Sequence, residues 1–342
     1  MNAFSSLLAS LPAAHGGYLG QTIALAVAVS WTVCALLSET VSRRLGAHVV
    51  NVLRMVLSLL FIGALLWVCT GSPLPPRADA TTWGWLLASG AVGYVFGDYC
   101  LFNAYLLIGS RFGQLFMTLA PAVSALAGWL LLGERLSAQA LAGMAVTTTG
   151  IAVSILGRGA PDAAEAGRGS RRRVRLNLPA RGVLLGIGAG VGQGLGLTLS
   201  AVGLHHYAAD WASGAAATAP AAAEHLRWLL PFAATQMRAV AGLPGFLLIL
   251  FLAGKGGALR RACTDGRGWL LMAATVVFGP FVGVSLSLMA TQYTSTGVAM
   301  TIMSLSPVLI LWPAHVLFGQ RVTRREVLGA LISVAGVALF FV

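Results

Sequence analysis

The chain has 342 residues, of which 57% are hydrophobic and only 9% charged, against roughly 25% charged in soluble domains. A water-soluble fold of this length buries only about 75% of its chain's surface and could not hide so much apolar area, so the bilayer is its solvent. The formal charge of +12 would point to nucleic acid in a soluble protein. Here most arginines fall between apolar runs and no basic face is interleaved with stacking aromatics, so they read as membrane anchors and nucleic acid is excluded as a partner.

A spanning helix needs about 20 apolar residues. Ten candidates follow in chain order: 17–38, 48–70, 82–107, 113–132, 138–157, 182–206, 228–253, 268–291, 296–318 and 326–342. Their long apolar runs do not alternate with period two, which excludes barrel strands. Residues 1–16 lack Lys and Arg, so no cleavable signal is expected. The apolar cores of the predicted spans contain three charged residues: Arg54, Asp98 and Arg238. Residues 158–181, charged and rich in Gly, form a basic linker between a first five-helix half (1–157) and a second (182–342). The alanine-rich stretch at about 207–227 reads as a surface helix or a loop.

The two halves resemble each other. At an offset of 186, Gly133, Arg135, Gly143, Gly150 and Ala152 meet Gly319, Arg321, Gly329, Gly336 and Ala338, and Leu119 and Pro121 meet Leu305 and Pro307. At 184, Arg54 meets Arg238 and Gly84-Trp85-Leu86-Leu87 meets Gly268-Trp269-Leu270-Leu271; at 162, Val29 and Ser38 meet Val191 and Ser200. The jump between the last two offsets matches the 207–227 segment, which is therefore an insertion. A five-span unit ends on the opposite side from its start, so its duplicate must sit inverted. The expected fold is an all-α integral membrane protein of ten transmembrane helices in two inverted five-helix repeats.

The Gly133-Glu134-Arg135-Leu136 run between the fourth and fifth spans, its Gly319-Gln320-Arg321 echo, Leu53-Arg54 in the second span and the duplicated ten-span layout resemble the EamA family of the drug/metabolite transporter superfamily. The resemblance covers nearly the whole chain. It implies a secondary transporter of a small metabolite, amino acid or drug in the cell's inner (plasma) membrane. Gln320 in place of a second glutamate and the 207–227 insertion depart from the first half's pattern.

A charge at the bilayer centre costs roughly 2.5–3.5 kcal/mol by insertion scales and normally faces the bundle interior with a partner. Asp98 lies about 18 Å along its helix from Ser110, and Arg54 about 9 Å from His48 on the same side, so the two are expected to approach. Asp98 is either a proton-titrating carboxylate or one arm of a permanent interhelical salt bridge. Its counterpart under the repeat, Val282 or Val284, is not acidic. Arg54 and Arg238 either clamp an anionic group with forked donors or hold backbone carbonyls. Tyr94 shares a helix face with Asp98, Asn103 lies on the neighbouring stripe, Gln114 opens the fourth span, and Gln193 stands mid-helix opposite Trp31 under the repeat. Together with the charged residues they are the candidate substrate-binding or coupling set. Six glycines at alternate positions from Gly186 to Gly196 form two adjacent small-residue faces for close helix packing. Matched Pro121 and Pro307 are expected to interrupt their helices. His205, His206 and Asp210 have too few ligands for a metal site, and the four cysteines form no close pair, so neither a cofactor nor a metal is expected.

Of the 22 Lys and Arg, 17 fall in odd-numbered connections and three, Arg77, Arg135 and Arg227, in even-numbered ones. By the positive-inside rule this places both termini outside, whereas members of the family are usually drawn with both inside. The leading function is alternating-access transport with Asp98 as a route for proton coupling; the runner-up is transport of nucleotide sugars or lipid-linked sugars. An intramembrane enzyme would need a convergent catalytic set, and only one deep carboxylate is present. The partners are a small-molecule substrate and the lipid bilayer, and a duplicated chain can work as a monomer or a homodimer.

Overall fold

The computed structural model describes residues 18–101, 103, 104, 107, 108, 116–157, 179–216, 227–262, 265–309, 313, 316 and 323–341; for a few of these, Glu39 among them, only the backbone is described. Gln114 lies outside the described residues.

Every regular element among them is helical. In chain order these are α1 (Leu19–Leu45), α2 (Ala47–Thr70), α3 (Ala80–Gly90), which runs into a π-helical segment π1 (Ala91–Asp98), α4 (Ala120–Leu132), α5 (Ala138–Gly157) and α6 (Ala180–Ala216). Then come α7 (Leu230–Leu252), the short α8 (Gly256–Ala262), α9 (Gly266–Val276), the second π segment π2 (Val277–Val284), α10 (Ser285–Ala290), α11 (Thr296–Met303), α12 (Ser306–Leu309) and α13 (Arg324–Ala338). Helices are what lipid allows, because each satisfies its backbone polar groups internally. Five are long and apolar enough to cross a membrane: Leu19–Ser42, His48–Thr70, Ala180–Trp211, Arg227–Leu252 and Gly266–Ala290. The other expected spans are shorter apolar helices, such as Ala120–Leu132, or include residues outside the described ones.

Three boundaries differ from the sequence reading. α1 continues to Leu45, beyond the expected end at residue 38, because nothing in Glu39 to Leu45 breaks a helix and Gly46, at φ 87°, supplies the stop. Glu39 is thereby drawn into an apolar helix. α6 runs 37 residues to Ala216, so the first part of the 207–227 segment is an extension of α6; alanine is the strongest helix former. Pro121 occupies the first turn of α4, where its missing N–H costs nothing. The helical run is interrupted just before it, at Thr118 and Leu119, and again at Ser304 and Leu305 just before Pro307.

The packing is symmetric under exchange of each helix with its counterpart in the other half. α1 packs on α9 and π2, as α6 packs on α3 and π1; α2 packs on α7, α4 on α11 and α5 on α13. Side-chain seats repeat as well. Gly97 of π1 faces Gln193 and Gly93 faces Gly196; in the other half Gly283 of π2 faces Trp31 and Gly279 faces Cys34. These pairs combine the 162 offset for α1 and α6 with 186 for the π segments. Asp79 and Asp265, the N-caps of α3 and α9, are also 186 apart. The structural register in this helix pair is therefore 186, and the match of Gly84 with Gly268 at 184 is a two-residue slip. Where the sequence left Val282 or Val284 open, the counterpart of Asp98 is Val284.

Equivalent helices α5 and α13 run antiparallel. Gly143 faces the Gly336 carbonyl, Gly150 the Ser333 hydroxyl and Gly336 the Thr147 amide, so contacts advance along one helix as they retreat along the other. Buried aliphatic and aromatic side chains of α1, α6, α7, α10 and α11 form the largest core cluster. The two ends of the bundle are tied by charged groups. At one, Asp265 accepts from Arg44 Nε and from Arg44 Nη2, the latter at 2.7 Å, and from the Gly268 amide at 3.1 Å. At the other, Asp210 accepts from the Asp79 amide at 3.2 Å and the Thr82 hydroxyl at 2.9 Å. Asp210, the acidic member of the His-His-Asp run at the end of α6, is thus a tether to the start of α3.

Candidate functional site

The site grows out of π1. A π turn carries i→i+5 hydrogen bonds and re-aims side chains relative to an α-helix, and such segments gather at functional sites. Tyr94 and Asp98, four residues apart on π1, both point into the protein, at 6% and 7% exposure. α2 brings Arg54, whose guanidinium donates to Asp98 Oδ2. α6 brings Gln193, whose amide donates to Asp98 Oδ1 at 2.7 Å and to the Gly93 carbonyl at 3.3 Å. α7 brings Arg238, stacked over the Tyr94 ring at 4.6 Å from its centroid. Glycine opens the space: a Cβ on Gly93 would stand 3.0 Å from an Arg238 terminal nitrogen, and one on Gly97 3.2 Å from Gln193 Nε2.

Five of the eight residues singled out by sequence therefore meet: Arg54, Tyr94, Asp98, Gln193 and Arg238. Arg54, Tyr94 and Asp98 come from the first half of the chain, Gln193 and Arg238 from the second. Trp31 sits apart from this group, against Gly283 of π2, in the seat that Gln193 occupies on π1. Asn103 donates to the Tyr99 carbonyl at 2.8 Å, a bond within its own helix, and makes no described contact with the cluster. One scaffold is thus built twice, with a carboxylate and an amide in one copy and Val284 and Trp31 in the other.

The cluster is incompletely satisfied. Arg54 Nε, Arg238 Nε, Tyr94 Oη and, one turn along α2 from Arg54, Ser58 Oγ are buried with no hydrogen-bond partner among the described residues. Buried polar atoms are normally paired, so the cluster keeps hydrogen-bonding capacity that the described residues do not use.

The sequence reading missed the role of Glu134. Its carboxylate crosses to the other half and caps α11, accepting from the Thr296 amide at 3.0 Å and the Thr296 hydroxyl at 2.8 Å. Gly133 ends α4 in the left-handed conformation, φ 66°, and so turns Glu134 inward. Gly128 leaves room, since a Cβ there would stand 2.5 Å from the Thr296 hydroxyl. The available signal was a carboxylate beside a Gly stop, but its target is 162 residues away.

A groove of about 890 Å³ runs between α4 and α5, lined by Leu126, Trp129, Leu141 and Met144 with Glu134 and Arg135 at its end. It is separate from the cluster at π1. Among the described residues no group of three or more His, Cys, Asp or Glu could hold a metal ion.

No curated protein matches the chain. One solved structure, titled only "Crystal structure of protein", superposes with a TM-score of 0.60 at 17% identity, over 95% of this chain and 97% of the other; at that identity the likeness speaks to fold alone. The sequence profile of the EamA-like transporter family matches residues 18–156 and again 208–342. With two matches across most of its length, this all-helical membrane protein belongs to the EamA-like transporter family.

Proposed function

We propose that the chain is a secondary transporter that moves a small organic metabolite by alternating access, with the cluster at π1 as its central site. The observation that carries this reading is the Arg54–Asp98–Gln193 link, which joins the two halves through a buried carboxylate and two part-buried polar partners on apolar helices. Ten spans in two inverted halves are the architecture that fits it. The support is the antiparallel packing of α5 on α13 and of α4 on α11, together with contacts that survive exchange of the halves. Inverted repeats place a substrate site near the midplane and let one bundle rock against the other. The paired π segments, each holding two glycines, stand where such rocking would be absorbed.

Asp98 is the group suited to proton coupling. As a carboxylate it holds Arg54 and Gln193; once protonated it would release the Arg54 charge and loosen the link between halves. The test is counterflow in proteoliposomes loaded with pools of anionic, neutral or cationic small metabolites, with and without a pH gradient. Accelerated exchange of one pool, abolished or uncoupled from pH by Asp98→Asn, is the expected result. Failure of all three pools to exchange faster than in empty vesicles would remove the transport reading.

A further inference from the structure

We infer that the substrate, or the group by which it is held, is a small organic monocarboxylate, and that Arg238 is its anchor with Tyr94 beside it. The inference rests on the transport reading and adds its chemistry. Arg54 and Asp98 neutralise each other. Arg238 is 5% exposed and makes no ion pair or hydrogen bond with any described side chain or carbonyl. Its described companion is the face of Tyr94, which stabilises a cation without neutralising it. A buried guanidinium without a counter-charge is costly, so the place is prepared for an anion from outside the chain. The excess is one positive charge, which a carboxylate cancels. A phosphate monoester, at about −1.5 to −2 near neutral pH, would overshoot. Guanidinium forks match a planar carboxylate with two parallel hydrogen bonds. The unpartnered Tyr94 hydroxyl is a further donor beside Arg238, and Gly93 keeps the approach to the guanidinium open.

The test measures thermal unfolding of the purified full chain in detergent, in chloride and then with acetate, lactate or benzoate, each beside its neutral amide. Carboxylates are expected to raise the melting temperature of the wild type and their amides are not. Arg238→Met, close in length but uncharged, is expected to melt at or above the wild type when empty and to lose the carboxylate response; a buried cation that served only to hold the fold would give the opposite. Tyr94→Phe is expected to keep the empty melting temperature and weaken the apparent carboxylate affinity about tenfold, the worth of one charge-assisted hydrogen bond. Glu39→Gln, on the acidic residue of α1, is expected to leave the carboxylate response intact.

A fall in the empty melting temperature of Arg238→Met, equal responses to acids and amides, or loss of the response in Glu39→Gln would each overturn the inference. Any of these together with exchange of neutral or cationic metabolites in vesicles would leave the transport reading standing, whereas absence of exchange for every pool would fell that reading by itself.

Discussion

Single residues in this protein act by capping and by absence. Glu134 places a negative charge on the first amide of α11, where the helix dipole favours it, so Glu134→Ala should cost about 2–3 kcal/mol, the sum of a lost cap and an orphaned donor. Chemical unfolding in detergent measures this, and Glu134→Gln should fall between the two. At the other end, the Arg44 guanidinium donating to Asp265, aided by the Gly268 amide, holds that carboxyl below its ordinary 3.8. A depressed folded pKa gives stability that is present above the ordinary value and lost as pH falls through the folded one. Melting temperature followed from pH 6 downward should therefore drop in acid, and Asp265→Asn should start lower and lose part of that dependence. The Arg54–Asp98 approach was legible from helix depth alone, because a buried charge demands a partner. The role of Glu134 was not, because its partner comes from the other half.

Helices here are interlocked by glycine. On α6, Gly186, Gly190 and Gly194 form one stripe against the segment around Phe116 to Ser124, while Gly188, Gly192 and Gly196 form another against Phe96, Gly97 and Gly93 of π1 and Cys100 just beyond it. A Cβ on Gly192 would stand 2.7 Å from the Gly97 Cα and one on Gly196 2.6 Å from the Gly93 Cα. Backbone facing backbone cannot step aside as a side chain can, so Gly192→Ala or Gly196→Ala should cost about 1–3 kcal/mol. Gly256→Ala, in open space, should be neutral in the same unfolding assay. The two faces could be read from the spacing of the glycines. The π segments were only half legible: Pro280 inside Val277–Val284 removes an α-helical hydrogen bond and signals a disturbed turn, whereas Ala91–Asp98 carries no proline and its wider turn shows only in the structure.

At the scale of the molecule, the two halves hold one another through α5 on α13, α2 on α7 and the crossed contacts of α1 and α6. Fragments 1–157 and 182–342 expressed as separate chains should therefore assemble and co-purify through a tag on one of them; recovery of the tagged fragment alone would show that the linker is needed. The charge bias of the connections predicts that a reporter fused after Val342 lies outside, and activity of a reporter that works only in the cytoplasm would reverse that assignment. The sequence by itself determined the solvent, the helical class, the duplication and the Arg54–Asp98 pair, because hydropathy, repeat offsets and the cost of a bare charge in lipid are properties of the chain's order. The tertiary structure decided the repeat register around Asp98, the seats of Asn103 and Trp31 away from the cluster's described contacts, the capping role of Glu134 and the lack of a counter-charge for Arg238 among the described residues. Each of these depends on which residues meet across the seam of two halves far apart in sequence, and no local pattern encodes such a meeting.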